Sequence, residues 1–124
     1  MSQEQTRSIM EDYFAAMSAG QFAAFFSDDV TWTTMESGEV VRGPLAVQAA
    51  IIGLHARMPG VRTRQLVVAE QSAFIEGDCA PGSGSPIAYC VAYDIAQGRI
   101  AAMRCYGELA ALMPDQTQSE TTTR

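Results

Sequence analysis

The stretch G-R-I-A-A-M-R-C-Y-G-E, Gly98 to Glu108, sets a thiol between an arginine and a tyrosine at strand spacing. A cysteine nucleophile needs a neighbouring cation or base to lower its pKa. The chain has one imidazole, His55. An imidazole titrates near ~6.5, which suits His55 to general acid or base work at a pocket rim. Without such a partner a buried cysteine is a small apolar filler, and Cys105 is read as a pocket wall beside Met103. Glu76 and Asp78 stand two apart on one extended segment, so they share a face that could turn inward. A carboxylate in a cavity has a raised pKa and can act as a base. Glu76 is taken as that base, and Asp78 reads more simply as a solvated strand end. Tyr13, Trp32, Tyr89 and Tyr93 each join an apolar ring to a polar tip, which suits them to line a cavity. No set of His, Cys and carboxylates has metal-ligand spacing, and no Gly-rich turn joins a strand to a helix. Proton transfer without metal or cofactor is therefore expected.

These side chains must be positioned by a small number of elements. Over residues 4–18, Ile9, Met10, Tyr13, Phe14 and Met17 recur at i, i+3, i+4 spacing, which predicts an amphipathic helix ending at Ala19-Gly20. A short second helix is expected over Gln21 to Phe26, with Ser27-Asp28-Asp29 breaking it. Val30 to Met35 is rich in β-branched and aromatic residues and predicts a strand, followed by a shorter one over Glu39 to Arg42. Gly43-Pro44 opens a third helix, whose stripe is Val47, Ile51, Leu54 and Met58, and Pro59-Gly60 stops it. Strands are expected over 62–70, 72–79, 87–95 and 99–106, with a loop at 80–86. In the last strand Ala101, Met103 and Cys105 share one face, and Ile100, Ala102, Arg104 and Tyr106 the other. Tyr89, Val91, Tyr93 and Ile95 alternate with Ala88, Cys90, Ala92 and Asp94 in the strand before. Helices followed by a meander predict an α+β fold with one sheet face covered by helices.

Composition limits what such a domain can do. At 124 residues there is room for one core, expected over 1–114, with a polar tail over 115–124 read as disordered. The net charge is -6, and the eight basic residues, all arginine, are scattered. That argues against nucleic-acid binding. No apolar run approaches the ~20 residues of a membrane span, and the polar N-terminus does not look like a secretory leader. Three cysteines without a C-x-x-C pair are read as reduced thiols in a cytoplasmic protein.

Four segments carry a resemblance: D-Y-F-A-A-M-S-A-G, F-F-S-D-D-V-T-W, V-V-R-G-P-L-A-V-Q-A-A-I and Y-C-V-A-Y-D-I-A-Q-G-R-I-A-A-M-R-C-Y. Their order and spacing over about residues 8–112 resemble the nuclear-transport-factor-2-like superfamily, in its SnoaL-like and ketosteroid-isomerase-like branch. The resemblance implies a cone, a strongly curved and mainly antiparallel sheet packed on three N-terminal helices, with a deep apolar pocket. It also implies a homodimer through the outer sheet face. Against ketosteroid isomerases, Tyr13 falls at the tyrosine that polarises a carbonyl, but Thr34 stands at the aspartate base and Val91 at the protonated aspartic acid. Against limonene-epoxide-hydrolase-like members, Cys105 stands at the water-activating aspartate, and Phe74 and Glu76 at the supporting arginine and acid. What the resemblance implies is a small enzyme acting on a hydrophobic molecule by isomerisation, cyclisation or dehydration. In it Tyr13, Glu76 and His55 would do the chemistry. Trp32, Thr34, Tyr89, Val91, Tyr93, Met103 and Cys105 would hold the substrate. The alternatives are an epoxide hydrolase with altered catalytic residues and a non-catalytic binding module.

Overall fold

The computed structural model describes residues 2–58, 60–80 and 85–108. Helix α1 spans Gln3–Met17. It starts at a capping box: Ser2 Oγ accepts from the Gln5 amide at 3.1 Å, and Gln5 Oε1 accepts from the Ser2 amide at 2.8 Å. Its buried stripe is Thr6, Met10 and Tyr13. The Thr6 hydroxyl also donates to the Glu70 carbonyl at 2.5 Å, which ties the helix to a turn of the sheet.

The second expected helix is a single 3-10 turn, Ala23–Phe25. Gln48 Oε1 accepts from both the Phe22 and Ala23 amides, at 2.7 and 2.8 Å, and so caps the start of the turn. Phe26 then starts strand β1, which runs Phe26–Thr34 and takes in the Asp28-Asp29 pair. Those aspartates are exposed on a stretch where pairing skips from Phe26 to Thr31, a bulge that absorbs them without burying charge.

Strand β2 is Glu39–Arg42, and helix α2 is Pro44–His55, with proline in its first turn. Its buried stripe, Val47, Ile51 and Leu54, is the expected one, and the helix ends at His55, before the buried Met58. The chain therefore holds two α-helices and one 3-10 turn among the described residues, and α2 lies between strands.

Strands β3 (Arg62–Val68), β4 (Ser72–Cys79), β5 (Ile87–Ala96) and β6 (Arg99–Gly107) complete one unclosed, curved six-stranded sheet, in the order β2-β1-β6-β5-β4-β3. Only β1 and β6 run parallel. The β5–β6 turn places Gln97 and Gly98 at φ 53° and 77°, the two left-handed positions a tight hairpin of this twist requires.

Register fixes which side chains meet the helices. Val41, Trp32, Met103, Tyr93, Ala73 and Val68 form one inner row across all six strands. Thr34, Cys105, Val91, Ile75 and Leu66 form the next inner row. Two expected faces are corrected. On β4 the inner positions are Ala73, Ile75 and Gly77, so Glu76 and Asp78 face outward with Phe74. On β6 Ile95 pairs with Ile100 while Asp94 pairs with Ala102, which leaves Ala101 as an inserted residue. That bulge turns Ile100 into the core, fully buried, instead of onto the outer face. The expected boundary at 114, the tail after it, Pro59 and most of the 80–86 loop lie outside the described residues.

Candidate functional site

A cavity lies between the inner sheet face and the two helices. Trp32 of β1, Met103 and Cys105 of β6, and Tyr89, Val91 and Tyr93 of β5 form its floor. Tyr13 and Met17 of α1 and Ile51, Leu54 and His55 of α2, with Met58 beyond it, form its roof. Its volume is ≈ 40 Å³. A water occupies at least ~10–15 Å³ on that measure, so the space holds about three waters. The deep pocket expected from the resemblance is in this structure a small chamber. Three flexible methionines stand in its walls, and such side chains repack at low cost.

Tyr13 is the most constrained of the lining groups. Its ring sits within 5.4–6.1 Å of the rings of Phe14, Phe22, Phe25, Phe26 and Tyr93, in tilted and edge-on contacts. Its hydroxyl donates to Met103 Sδ at 3.9 Å, a long contact to a weak acceptor. Burial pushes the phenol pKa far above its ordinary value, so it remains a proton-bearing donor. Tyr93 is also buried, with its pKa raised by burial first and by the nearby Tyr13 second.

Cys105 is buried, and desolvation pushes its thiol up to about 12, with Cys90 adding to the shift. At neutral pH it is a protonated wall, as its packing role requires, and a poor nucleophile. His55 is exposed overall, yet desolvation lowers its pKa below the ordinary imidazole value. It stands at the mouth as a neutral imidazole, among the described residues the one lining group able to accept a proton near pH 7.

Eight of the ten expected site residues line this cavity: Tyr13, Trp32, His55, Tyr89, Val91, Tyr93, Met103 and Cys105. Thr34 is buried on the inner face beside Cys105 but outside the lining. Glu76 lies on the opposite side of the sheet, where Gln65 Nε2 donates to it at 3.0 Å and Arg64 approaches at 3.7 Å. Asp78 is held there too, by Arg62 at 3.2 Å and Arg64 at 3.4 Å. No carboxylate lines the cavity among the described residues, nor do three His, Cys, Asp or Glu gather there to hold a metal ion. The lining residues not picked out as a site are Met17, Ile51, Leu54 and Met58. All lie on the helical stripes that mark a core, and a core stripe and a cavity roof have the same spacing.

The model of the SnoaL-like domain matches residues 9–103. The chain belongs to the SnoaL-like domain family. Solved structures agree with that placement at the level of the fold. This SnoaL-like domain is similar to a steroid delta-isomerase from Pseudomonas aeruginosa, at 10% identity and TM-score 0.78, over 96% of this chain and 93% of the other. It is similar to an NTF-2-like protein of unknown function from Burkholderia xenovorans LB400, at 20% identity and TM-score 0.71, over 86% and 85% of the two chains. A de novo designed protein with a curved β-sheet also matches, at 17% identity and TM-score 0.72, over 98% and 96%. A shared fold does not by itself carry an activity. No curated protein matches the sequence.

The lining of this SnoaL-like cavity offers phenol and thiol donors, one neutral imidazole and apolar walls. Such a set can polarise one oxygen of a neutral ligand and move one proton at the rim.

Proposed function

We propose that this SnoaL-like domain is a cofactor-independent acid–base enzyme acting on a compact, neutral, hydrophobic carbonyl compound. The reaction class is isomerisation, cyclisation or dehydration. The observation that carries the reading is the Tyr13 hydroxyl, buried and, among the described residues, directed at a thioether sulfur. A ligand oxygen is a stronger acceptor than that sulfur, so it gains the phenol without breaking a strong bond. The carbonyl oxygen would accept from Tyr13, with Tyr93 close by. His55 would take a proton from the carbon beside the carbonyl, leaving an enolate whose charge the phenol stabilises. Where the carbonyl compound carries a β,γ double bond the anion is a dienolate, and return of that proton to its γ-carbon completes an isomerisation with no other reactant. Glu76, on the far side of the sheet, has no part in this. The epoxide-hydrolase alternative loses support, because Cys105 stays protonated and Phe74 and Glu76 face outward.

A second reading, a non-catalytic binding module, is favoured by the lack of a lining carboxylate among the described residues. Proton exchange separates the two. Short acyclic ketones and enones, of a size that suits so small a chamber, incubated in D₂O with the protein and followed by NMR, should exchange their α-protons faster than in buffer. Tyr13→Phe and His55→Ala should each remove the acceleration. Binding without acceleration would leave the binding module. The reading is completed by a homodimer through the outer sheet face, at Ala88, Ala92, Arg104 and Tyr106. A cytoplasmic setting, in which the free thiols of Cys79, Cys90 and Cys105 stay reduced, goes with it.

A further inference from the structure

Helix α2 carries no charged residue from Pro44 to Leu54, and Gln48 and His55 are its polar side chains. A helix apolar on all sides is ordinarily covered on all sides. α2 is covered on one. Val47, Ile51 and Leu54 face the core, whereas Leu45 is 74% exposed and Ile52 44% exposed. Ala49 and Ala56 are exposed with them. At 3.6 residues per turn, Leu45, Ala49, Ile52 and Ala56 fall within about 60° of arc, on the side opposite the core stripe.

Their spacing of four, three and four is that of a two-helix seam. Large and small side chains alternate along it, Leu45, Ala49, Ile52, Ala56. Read in the opposite direction, the order becomes small, large, small, large. A second copy laid antiparallel therefore sets Leu45 of each chain over Ala56 of the other, and Ile52 over Ala49. The face fits itself.

The charges at its two ends are complementary. At the C-terminal end Arg57 is exposed, and its Nη1 donates to the Gly53 carbonyl at 2.8 Å, which lays the guanidinium back along the helix. At the N-terminal end the Gly43 amide donates to the Val30 carbonyl at 2.9 Å. The exposed Asp28-Asp29 pair immediately precedes Val30. Antiparallel pairing brings Arg57 of each copy to the acid pair of the other.

We propose that the outer face of α2 is a contact between two copies of this chain, packed antiparallel about a twofold axis near the middle of the helix. The helix is about 18 Å long. A seam of that length buries less than the ~1,600 Å² of a standard interface, so association falls in the micromolar range. The contact is on the helix side of the molecule, apart from the outer sheet face, and a chain using both faces would assemble as four. It is independent of the catalytic reading.

Sedimentation equilibrium from micromolar to millimolar concentration tests this with the wild type, Leu45→Glu and Ile52→Glu. Neither residue belongs to the core cluster. A carboxylate in the first turn of a helix is favourable, so Leu45→Glu should keep the wild-type circular dichroism and Tm. The wild type should associate. Each variant should weaken association at least tenfold, so that the mass falls towards half where the wild type is fully assembled. Should Ile52→Glu fail to fold, Leu45→Glu carries the same test. Arg57→Asp alone, and Asp28→Arg with Asp29→Arg, should each weaken association several-fold, and the three changes together should restore it. Restoration reports pairing between copies, because the two groups stand at opposite ends of one helix. A wild type that remains a single chain, whether or not it adsorbs to lipid vesicles, overturns the proposal. So does a folded Leu45→Glu of wild-type mass, which would leave the sheet face as the contact. Failure of the combined charge variant to recover association overturns the antiparallel arrangement.

Discussion

The hydroxyl of Tyr13 donates to the sulfur of Met103, 3.9 Å away, and this contact joins helix α1 to strand β6 across the cavity. It fixes the direction of the phenol while holding it weakly. Register explains why the sulfur is there: Met103 lies between Trp32 and Tyr93 in the inner row that runs beneath α1.

Removing the Tyr13 hydroxyl should therefore separate function from stability. Tyr13→Phe keeps every ring contact and loses only a bond to a weak acceptor. Its unfolding free energy should stay within about 1 kcal/mol of wild type in urea titration. Proton exchange should fall by about 10²–10³, the cost of losing one donor to a developing oxyanion. A large loss of stability with unchanged exchange would reverse the assignment of the hydroxyl.

Cys105→Ser should leave most of the exchange activity, because the thiol is a wall. It should cost about 1–3 kcal/mol, since a hydroxyl replaces a thiol in an apolar site. Native Cys105 should also react with iodoacetamide at pH 8 far more slowly than a free thiol, as a pKa of about 12 implies. Mass spectrometry of the alkylated chain checks both position and rate.

Stability should decline in the alkaline range. Cys105 is raised from 9.0 to about 12 in the folded chain, and Tyr13 and Tyr93 are raised above 10.0. Below pH 9 both folded and unfolded forms hold these protons. Above it the unfolded thiol ionises, and then the unfolded phenols, while the folded ones do not. The unfolded state then binds fewer protons, so stability falls as pH rises. Urea midpoints measured from pH 7 to 11 should be flat and then drop from about pH 9 upward. Cys105→Ala should make the drop shallower but leave its onset near pH 9, because burial raises the Cys79 and Cys90 thiols above 9.0 as well.

Gly77→Ala should be strongly destabilising. The added methyl would run into the Arg62 carbonyl oxygen of β3 and stand 3.0 Å from Tyr89 Oη. The phenol can swing away, but the carbonyl belongs to a paired strand and can move only with it. A cost of about 1–3 kcal/mol is expected from such overpacking, read as a lowered Tm.

The cavity was largely legible in the sequence because strand parity and helical stripes are local. Trp32, Tyr93, Met103 and Cys105 alternate correctly along their own strands, and Tyr13 sits on an unbroken stripe. Glu76 was not legible, because β4 offers no anchor for its parity. Its outward set includes Phe74, a large apolar residue, and its inward set includes Gly77, which has no side chain to reveal a face. Ile100 was missed for a different reason. The extra residue at Ala101 is visible only when β6 is laid against β5, where Ile95 meets Ile100. The short 3-10 turn at Ala23–Phe25 depends on Gln48, which is distant in sequence. Local pattern carries the faces of elements, and long-range pairing carries the exceptions.

The pH dependence of catalysis should carry the signature of His55. Its pKa is lowered from 6.5 by desolvation at the cavity mouth, so the imidazole is neutral and able to accept a proton at pH 7. The rate of α-proton exchange should be level near neutrality and fall on the acid side with an apparent pKa below 6.5, as the base becomes protonated. The same shift acts on folding with a fixed sign. Below pH 6.5 the unfolded imidazole binds a proton before the folded one does, so the His55 contribution to stability is lost as pH falls. His55→Gln should remove the accelerated exchange across the pH range while keeping the fold, and should flatten the stability profile between pH 7 and 5. If the acid limb persists in His55→Gln, the proton is taken by another group. If it lies above 6.5 in the wild type, the imidazole is stabilised in its charged form, and the mouth is more polar than its neighbours Leu54 and Met58 make it.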